Sequence, residues 1–358
     1  KEIINKCDNM DYNETIKFLY NQLPVYQNSG NKALNLGLDK IQKLLIEFNN
    51  PEKFLKIIHI GGTNGKGSSA HSIAAICQYN NLKTGLYTSP HLFDFSERIQ
   101  LNRKPLARNE RVNLTARVKN TVEKLKIPIT FFEFGTVMAF LYFAEQKADV
   151  IVIETGMGGR LDATTLCKGN ITIITSIAKD HTSHLGNTLK EITFEKASII
   201  KEHGTVFAMK EGKKVHEIIK EISQQKSADA QFLGEHFNVK KGAKRSTIQS
   251  INFRNQNVCF KNLELSLLGR FQASNAALAL SACLHHGNKA GKEISEKSIR
   301  KGLKSTSWDG RMEVISSRPT ILLDIAHNPA AVNEMAKSVE ELFEYKRVIV
   351  ILGIMKDK

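Results

Sequence analysis

Residues 57–68, IIHIGGTNGKGS, decide the fold. The first four, Ile57 to Ile60, are an apolar run rich in branched side chains, the composition of a strand buried on both faces of a parallel sheet. The run breaks at Gly61-Gly62 and passes Thr63, Asn64, Gly65, Lys66, Gly67 and Ser68. It then enters SAHSIAAICQY, where Ile73, Ile76 and Cys77 recur at helical spacing. Strand, glycine loop, lysine, hydroxyl and helix together form an arrangement that cradles a nucleotide's phosphates. Glycines let backbone N–H groups turn inward, and the helix N-terminus adds partial positive charge. Lys66 can reach β- and γ-phosphate oxygens, and a hydroxyl can sit on Mg²⁺. Gly67 intervenes between Lys66 and Ser68, a departure from the usual GxxxxGK[ST]. A glycine-rich turn without a ligand is the alternative; the rest of the chain favours phosphate binding.

At 358 residues the chain suits two domains, and 41% hydrophobic with 24% charged residues is ordinary globular composition. The five cysteines, Cys7, Cys77, Cys167, Cys259 and Cys283, are scattered and contain no CxxC, which reads as a reduced intracellular protein without a zinc site. The N-terminal residues have no apolar signal region and no later stretch is long enough to span a bilayer, so a cytoplasmic protein with no membrane partner is expected. Met10 could be the natural start, with the next residues reading as a first helix. The net charge of +15 is spread along the chain, with only the short KKGAKR at 240–245 as a basic run. No helix-turn-helix, zinc finger or aromatic RNA-binding signature accompanies it, so no nucleic-acid partner is expected. Diffuse positive charge fits anionic small molecules such as ATP and polycarboxylates.

Outward from the loop, a polar stretch at 26–36 precedes a helix with Leu38, Ile41, Leu44 and Leu45 on one face. Residues 83–88 read as a short strand opening at Ser89-Pro90-His91, and 109–125 and 131–146 read as helices, the second carrying Glu133 near its start. Residues 149–153 are again a continuous apolar run, with Glu154 at the carboxyl end. Ligands of open parallel sheets gather outside the carboxyl ends of the strands. A carboxylate there can hold Mg²⁺ directly or through water, or can simply cap the glycine turn that follows. A third strand at 171–177 delivers Asp180 and His181 to the same edge, and His181 could ligate a metal through a neutral imidazole nitrogen. Lys196 shares a helical face with Ile192 and Ile199, and desolvation there would lower its pKa, as a reactive free amine requires.

GTNGKGS, TSPHL…ERI, E-x-G-x-GGRLDAT, KDHTSHLG and EKASIIK, in that order, make the chain resemble the folylpolyglutamate synthase/dihydrofolate synthase family, a branch of the Mur ligases, over nearly all its length from Met10. The resemblance implies an ATP-dependent amide ligase. The folate-type carboxylate takes the γ-phosphoryl of ATP, and L-glutamate attacks the resulting acyl phosphate. Phosphoryl transfer needs charge neutralisation and in-line positioning, which explains a site dominated by lysine and metals. By the family's pattern, Thr63 to Ser68 wrap the triphosphate, while Ser89, Glu154 and His181 hold Mg²⁺. Lys196 matches a lysine that is carbamylated and then binds a second Mg²⁺. Lys66, His181 and Lys196 are thus the expected catalytic residues. Asn275 matches a contact to the adenine end of ATP, and Arg311, Asp324 and His327 match ATP contacts from the second domain. Thr165 stands where the family usually has Asn, Ser198 where it has Gly, and Ile325 where Gly is frequent.

The remaining chain reads as a strand at 204–209, a helix at 213–225, β-hairpins between 232 and 267, and helices entered at Gln272 and Ser295. After the linker STSWDGR come a strand, a loop, an amphipathic helix and the apolar run 347–352, expected as a further buried strand. The expected architecture is α/β: a P-loop parallel-sheet ATP-binding domain over 1–307, then a partial Rossmann-like C-terminal domain of Mur ligase type over 308–358, apparently truncated. Expected partners are ATP, L-glutamate and dihydropteroate or a reduced folate, with the chain a monomer. A Mur-type ligase of UDP-muramoyl peptides shares the ATP apparatus, but SPHL…ERI argues against it. A single-activity dihydrofolate synthase and a nucleotide-dependent switch or nucleic-acid-stimulated ATPase are the other readings.

Overall fold

The run beginning at Ile57 forms the middle of a sheet. The computed structural model describes residues 10–24, 37–245 and 248–354, so the polar stretch 26–36 and Cys7 lie outside the described residues. The strands are β1 (Ile57–Gly61), β2 (Thr84–Tyr87), β3 (Ile99–Leu101), β4 (Lys104–Pro105), β5 (Val150–Glu154), β6 (Ile171–Ile174), β7 (Thr205–Ala208) and β8 (Asp229–Phe232). They pair in the order β4-β3-β2-β5-β1-β6-β7-β8. From β2 to β8 every pairing is parallel, and only the β2-β3-β4 edge is antiparallel.

Parallel strands need crossovers, which here are helical and cover both faces. In chain order the helices are α1 (Tyr12–Lys17), α2 (Asp39–Glu47), α3 (Lys66–Tyr79), α4 (Arg108–Leu125), α5 (Phe131–Glu145), α6 (Thr182–Leu185), α7 (Leu189–Ala197), α8 (Lys213–Gln225), α9 (Gln272–Ala290), α10 (Glu296–Ser305) and α11 (Pro329–Leu342). Ile58, Ile60, Val150 and Val152 point to one face, against Ile73 of α3 and Ala277 of α9. Ile57, Ile151 and Ile153 point to the other, against Phe134 and Phe140 of α5. Strand side chains alternate, so burial on both faces demands the unbroken apolar runs seen in the sequence. Glu133 closes a capping box with Thr130, which explains where α5 starts.

Two expectations change in detail. The strand expected to reach Ile177 ends at Ile174, because the chain turns to serve the loop after β1. There Thr63 N–H donates to the Ser176 carbonyl at 2.7 Å, and Thr175 N–H donates to that of Gly61 at 2.9 Å. The hairpin region divides: residues to Phe232 complete the large sheet, and β9 (Asn238–Arg245), β10 (Ile248–Arg254) and β11 (Cys259–Leu265) form a separate antiparallel meander. Its Ile251, Phe253 and Leu263 pack into the core under α9.

Beyond α10, β12 (Glu313–Ser317) and β13 (Thr320–Leu323) form an antiparallel pair followed by α11. A small cluster of Leu268, Met312 and Leu342 joins this segment to the rest. The buried strand expected at 347–352 is not found. Among the described residues the run pairs with no strand, and Ile351 is 95% exposed. A doubly buried strand needs parallel neighbours and helices on both sides, and the sheet nearest in sequence has two antiparallel strands.

Gly302 of α10 lies against α3, where an added Cβ would fall 2.7 Å from the Cα and backbone N of Ile76. Gly302→Ala gains about 1 kcal/mol of helix propensity. Overpacking against backbone costs about 1–3 kcal/mol, and backbone cannot rotate away. We expect a net loss of up to about 2 kcal/mol in urea unfolding; a raised midpoint would show that the two helices part freely.

Candidate active site

Because β1, β2, β5 and β6 run parallel, their carboxyl ends share one edge. The glycine loop follows β1, Ser89 follows β2, Glu154 closes β5, and Asp180-His181 follow β6. Two glycines are indispensable to the loop. Gly62 (φ +138°) packs where a Cβ would strike the Thr175 hydroxyl, and Gly65 (φ +91°) where it would strike the Asn275 amide. Gly65 is the N-cap of α3, so the helix's first N–H groups open into the loop. Lys66 Nζ folds back to donate to the carbonyls of Gly62 (3.2 Å) and Thr63 (3.0 Å). The Thr63 hydroxyl donates to the Ala178 carbonyl and accepts from its N–H, both at 3.1 Å.

Behind the loop, Lys196 is buried as its apolar helical face required, and its Nζ donates to the Gly62 carbonyl at 2.9 Å. Beneath it, Asn275 Nδ2 donates to Gln272 Oε1 at 3.0 Å, and Gln272 Nε2 donates to the Ser68 hydroxyl at 3.2 Å. The start of α3 and the start of α9 are thus joined by one buried polar network.

Glu154 is buried and accepts from the Ser89 N–H at 3.2 Å, so two of the residues expected to hold a metal are adjacent. Burial pushes its carboxyl above the ordinary range, against the pull of Lys66, the Ser89 N–H, Arg311 and Arg98. Among the described residues no three His, Cys, Asp or Glu side chains cluster as a complete metal cage. Mg²⁺ does not need one. It keeps several waters and takes one or two carboxylates plus substrate phosphates, so a buried carboxylate beside a serine suits it in donor type. His181 stays beside Asp180, with its Nε2 4.0 Å from Asp180 Oδ1.

The C-terminal segment closes over this edge. Asn64 and Asn328 exchange amide hydrogen bonds at 3.2 and 3.0 Å, and Asn328 Nδ2 also reaches Asp180 at 3.2 Å. His327 Nε2 lies 3.6 Å from the same Asp180 oxygen. Asp324 accepts from the N–H groups of Met312 (2.8 Å) and Ala326 (2.7 Å), and burial raises its pKa despite them. Arg311 is desolvated, which lowers its pKa, while Glu154 and Asp324 oppose the shift. Arg311 and Asp324 therefore stand near opposite charge without forming a direct ion pair among the described contacts.

Three residues to which the sequence assigns no role belong to the site: Asn328, which bonds Asn64, Trp308, which covers Gly67, and Arg98, whose charge acts on Glu154. Asn328 precedes Pro329 and caps α11 through Ala331 N–H, a signal readable as a helix start. Its bond to Asn64, 264 residues away, had no local signal. The unusual residues are accommodated locally. Thr165 bonds the Gly159 carbonyl at 2.6 Å, Ser198 that of Phe194 at 2.6 Å, and Ile325 N–H that of Gly310 at 3.0 Å.

A glycine-lysine loop at the carboxyl edge of a parallel sheet, faced by a separate segment carrying cation and amide groups, fits the Mur-type ligases, a class that forms amide bonds, and the comparisons with known proteins agree. Residues 60–283 match the Mur ligase middle domain, and residues 310–358 match the Mur ligase glutamate ligase domain. The dihydrofolate synthase/folylpolyglutamate synthase of Bacillus subtilis (strain 168) is 34% identical over 90% of this chain and 76% of its own length. The folylpolyglutamate synthase of Lacticaseibacillus casei is 32% identical over 98% of this chain and 81% of its own. A solved FPGS-AMPPCP-folate complex superposes with a TM-score of 0.88 at 31% identity, covering 94% of this chain and 82% of that one. The chain belongs to the folylpolyglutamate synthase/dihydrofolate synthase family.

His71 of α3 lies under this edge, and burial, with Arg103 and Arg311 nearby, lowers its pKa to about 3. The folded state therefore refuses a proton that the unfolded chain accepts near 6.5, so the stability involved is complete above that pH and drains as pH falls towards 3. Between pH 7 and 5 this amounts to about 2 kcal/mol. His71→Phe should shrink the difference in urea stability between those pH values by about that amount; a difference equal to wild type would remove His71 from the acid sensitivity.

Proposed function

We propose that this chain adds L-glutamate to dihydropteroate, to tetrahydrofolate and its polyglutamates, or to both, using ATP through an acyl phosphate. The observation that carries the reading is the convergence of Lys66, Glu154 and Arg311 on the loop after β1, with Asn328 clamping that loop from the C-terminal segment. The relative solved with AMPPCP and folate supports it, since AMPPCP is a methylene analogue of ATP. The ATP-binding unit is assigned to residues 1–307 and the C-terminal unit to 308–358. Thr63 to Ser68 are assigned to the triphosphate, and Asn275, Arg311, Asp324 and His327 to the rest of the nucleotide.

Ser89, Glu154 and His181 would hold Mg²⁺, with a carbamylated Lys196 at a second ion. Bound Mg²⁺ would neutralise charge on the β- and γ-phosphates. The chain's own groups do the rest. Lys66 exchanges the Gly62 and Thr63 carbonyls for phosphate oxygens, and Arg311 offers planar donors to the same anion. The acceptor's carboxylate oxygen bonds to the γ-phosphorus as the bond to the bridging oxygen breaks and ADP leaves. The glutamate amine then attacks the acyl carbon, loses a proton and expels phosphate. Closure of the C-terminal segment over the edge would keep water from the acyl phosphate. A cytoplasmic monomer is the setting assigned; among the described residues no helix is long and apolar enough to cross a membrane.

Phosphate release from ATP and Mg²⁺ should require both L-glutamate and an acceptor, and dihydropteroate and tetrahydrofolate supplied separately will show which acceptor works. Release with neither, despite nucleotide binding, would overturn the folate assignment. Glu154→Gln keeps the shape but removes the charge, and should lower turnover by about 10²–10³-fold and raise the Mg²⁺ concentration needed; unchanged Mg²⁺ dependence would take Glu154 out of the metal site.

A further inference from the structure

Trp308 is the only tryptophan in the chain and lies between α10 and β12. Its indole stacks on His71 of α3, with centroids 4.0 Å apart and 28° between the planes. It also covers Gly67 so closely that a Cβ there would lie 2.7 Å from Nε1. The segment around it is tied down, since Arg103 donates to the Ser305 carbonyl at 2.6 Å and hydroxyl at 3.1 Å. The Ser266 hydroxyl donates to the Thr306 carbonyl. Yet Trp308 Nε1 and His71 Nε2 are both buried without a hydrogen-bond partner. Each such group costs about 1–3 kcal/mol. Stacking and shape hold the indole here against that cost, which is unusual for a residue with no task.

Arg311 supplies the task. Its guanidinium carbon lies 5.5 Å from the indole centroid, and its Nη1 donates locally to the Gly310 carbonyl at 3.3 Å. A free arginine side chain carries about 2 kcal/mol of rotamer entropy. Ordering it before the ligand arrives therefore improves affinity. The stack is suited to this because His71, with its pKa lowered to about 3, stays neutral beside Arg103 and Arg311.

We propose that Trp308 is a positioning residue for nucleotide binding: anchored on Gly67 and His71, its indole fixes where Arg311 stands relative to the phosphate loop. This rests on the reading of that loop as the ATP site. Calorimetric titration of the full chain with AMPPCP and Mg²⁺ tests it. Trp308→Ala and Arg311→Ala should each weaken binding about tenfold, and the double variant should bind no worse than Arg311→Ala alone. Trp308→Phe, which keeps a ring on His71, should recover to within about threefold of wild type. Losses that add in the double variant, or an unchanged affinity in Trp308→Ala, would overturn the proposal. If circular dichroism shows Trp308→Ala unfolded, Trp308→Leu, which fills much of the space without a ring, takes its place in the cycle under the same additivity criterion. A wild-type chain that takes up no AMPPCP would instead overturn the nucleotide reading, a result distinct from additive losses in a chain that binds.

Discussion

The site depends on β1 being bonded on both sides, to β5 and to β6, while buried on both faces. That double constraint leaves the strand no freedom of register, because a shift by one residue would exchange its two buried faces. The loop that follows must therefore begin at a fixed point between Glu154 on one neighbour and the Thr175–His181 segment on the other. Thr63 and Asn64 lock onto that segment through backbone and side-chain bonds. Loop placement is thus a consequence of sheet pairing, and the glycines only make its shape attainable.

Within this frame the charges are arranged against their own solvation. Glu154 and Arg311 are both shifted towards their neutral forms by burial, and each is opposed by the other's field. Desolvated charges of opposite sign a short way apart interact strongly with whatever enters between them. Lys66 meanwhile satisfies its donors on backbone carbonyls of its own loop, so it can trade them for an anion without crossing an unsolvated state.

Much of this was legible in the sequence, for physical reasons. Strands β1, β5 and β6 announced themselves because double-sided burial requires unbroken apolar runs, and the lysine at 196 because its helical face was otherwise apolar. Strand β6 ends before its apolar run does because Thr175 and Ser176 pair with the loop rather than continue the strand, a tertiary choice that propensity does not encode. The apolar run at 347–352 showed composition without showing whether a neighbour exists to cover it. Asn328 and Trp308 escaped because neither the Asn-Pro pair nor a tryptophan in a polar linker says which distant backbone it will touch. Long-range side-chain contacts have no period.

The amide exchange between Asn64 and Asn328 has a thermodynamic corollary. Asn328 is at once the cap of α11 and a partner of the loop after β1. Any occupant of the loop that reorients Asn64 must bias the position of α11 by some free energy. Reciprocity then requires that any agent holding α11 in one position bias the loop's affinity by the same amount. Two elements separated by most of the chain are coupled through one pair of amides, and the strength of that coupling is bounded by what those few hydrogen bonds are worth, about 1 kcal/mol each.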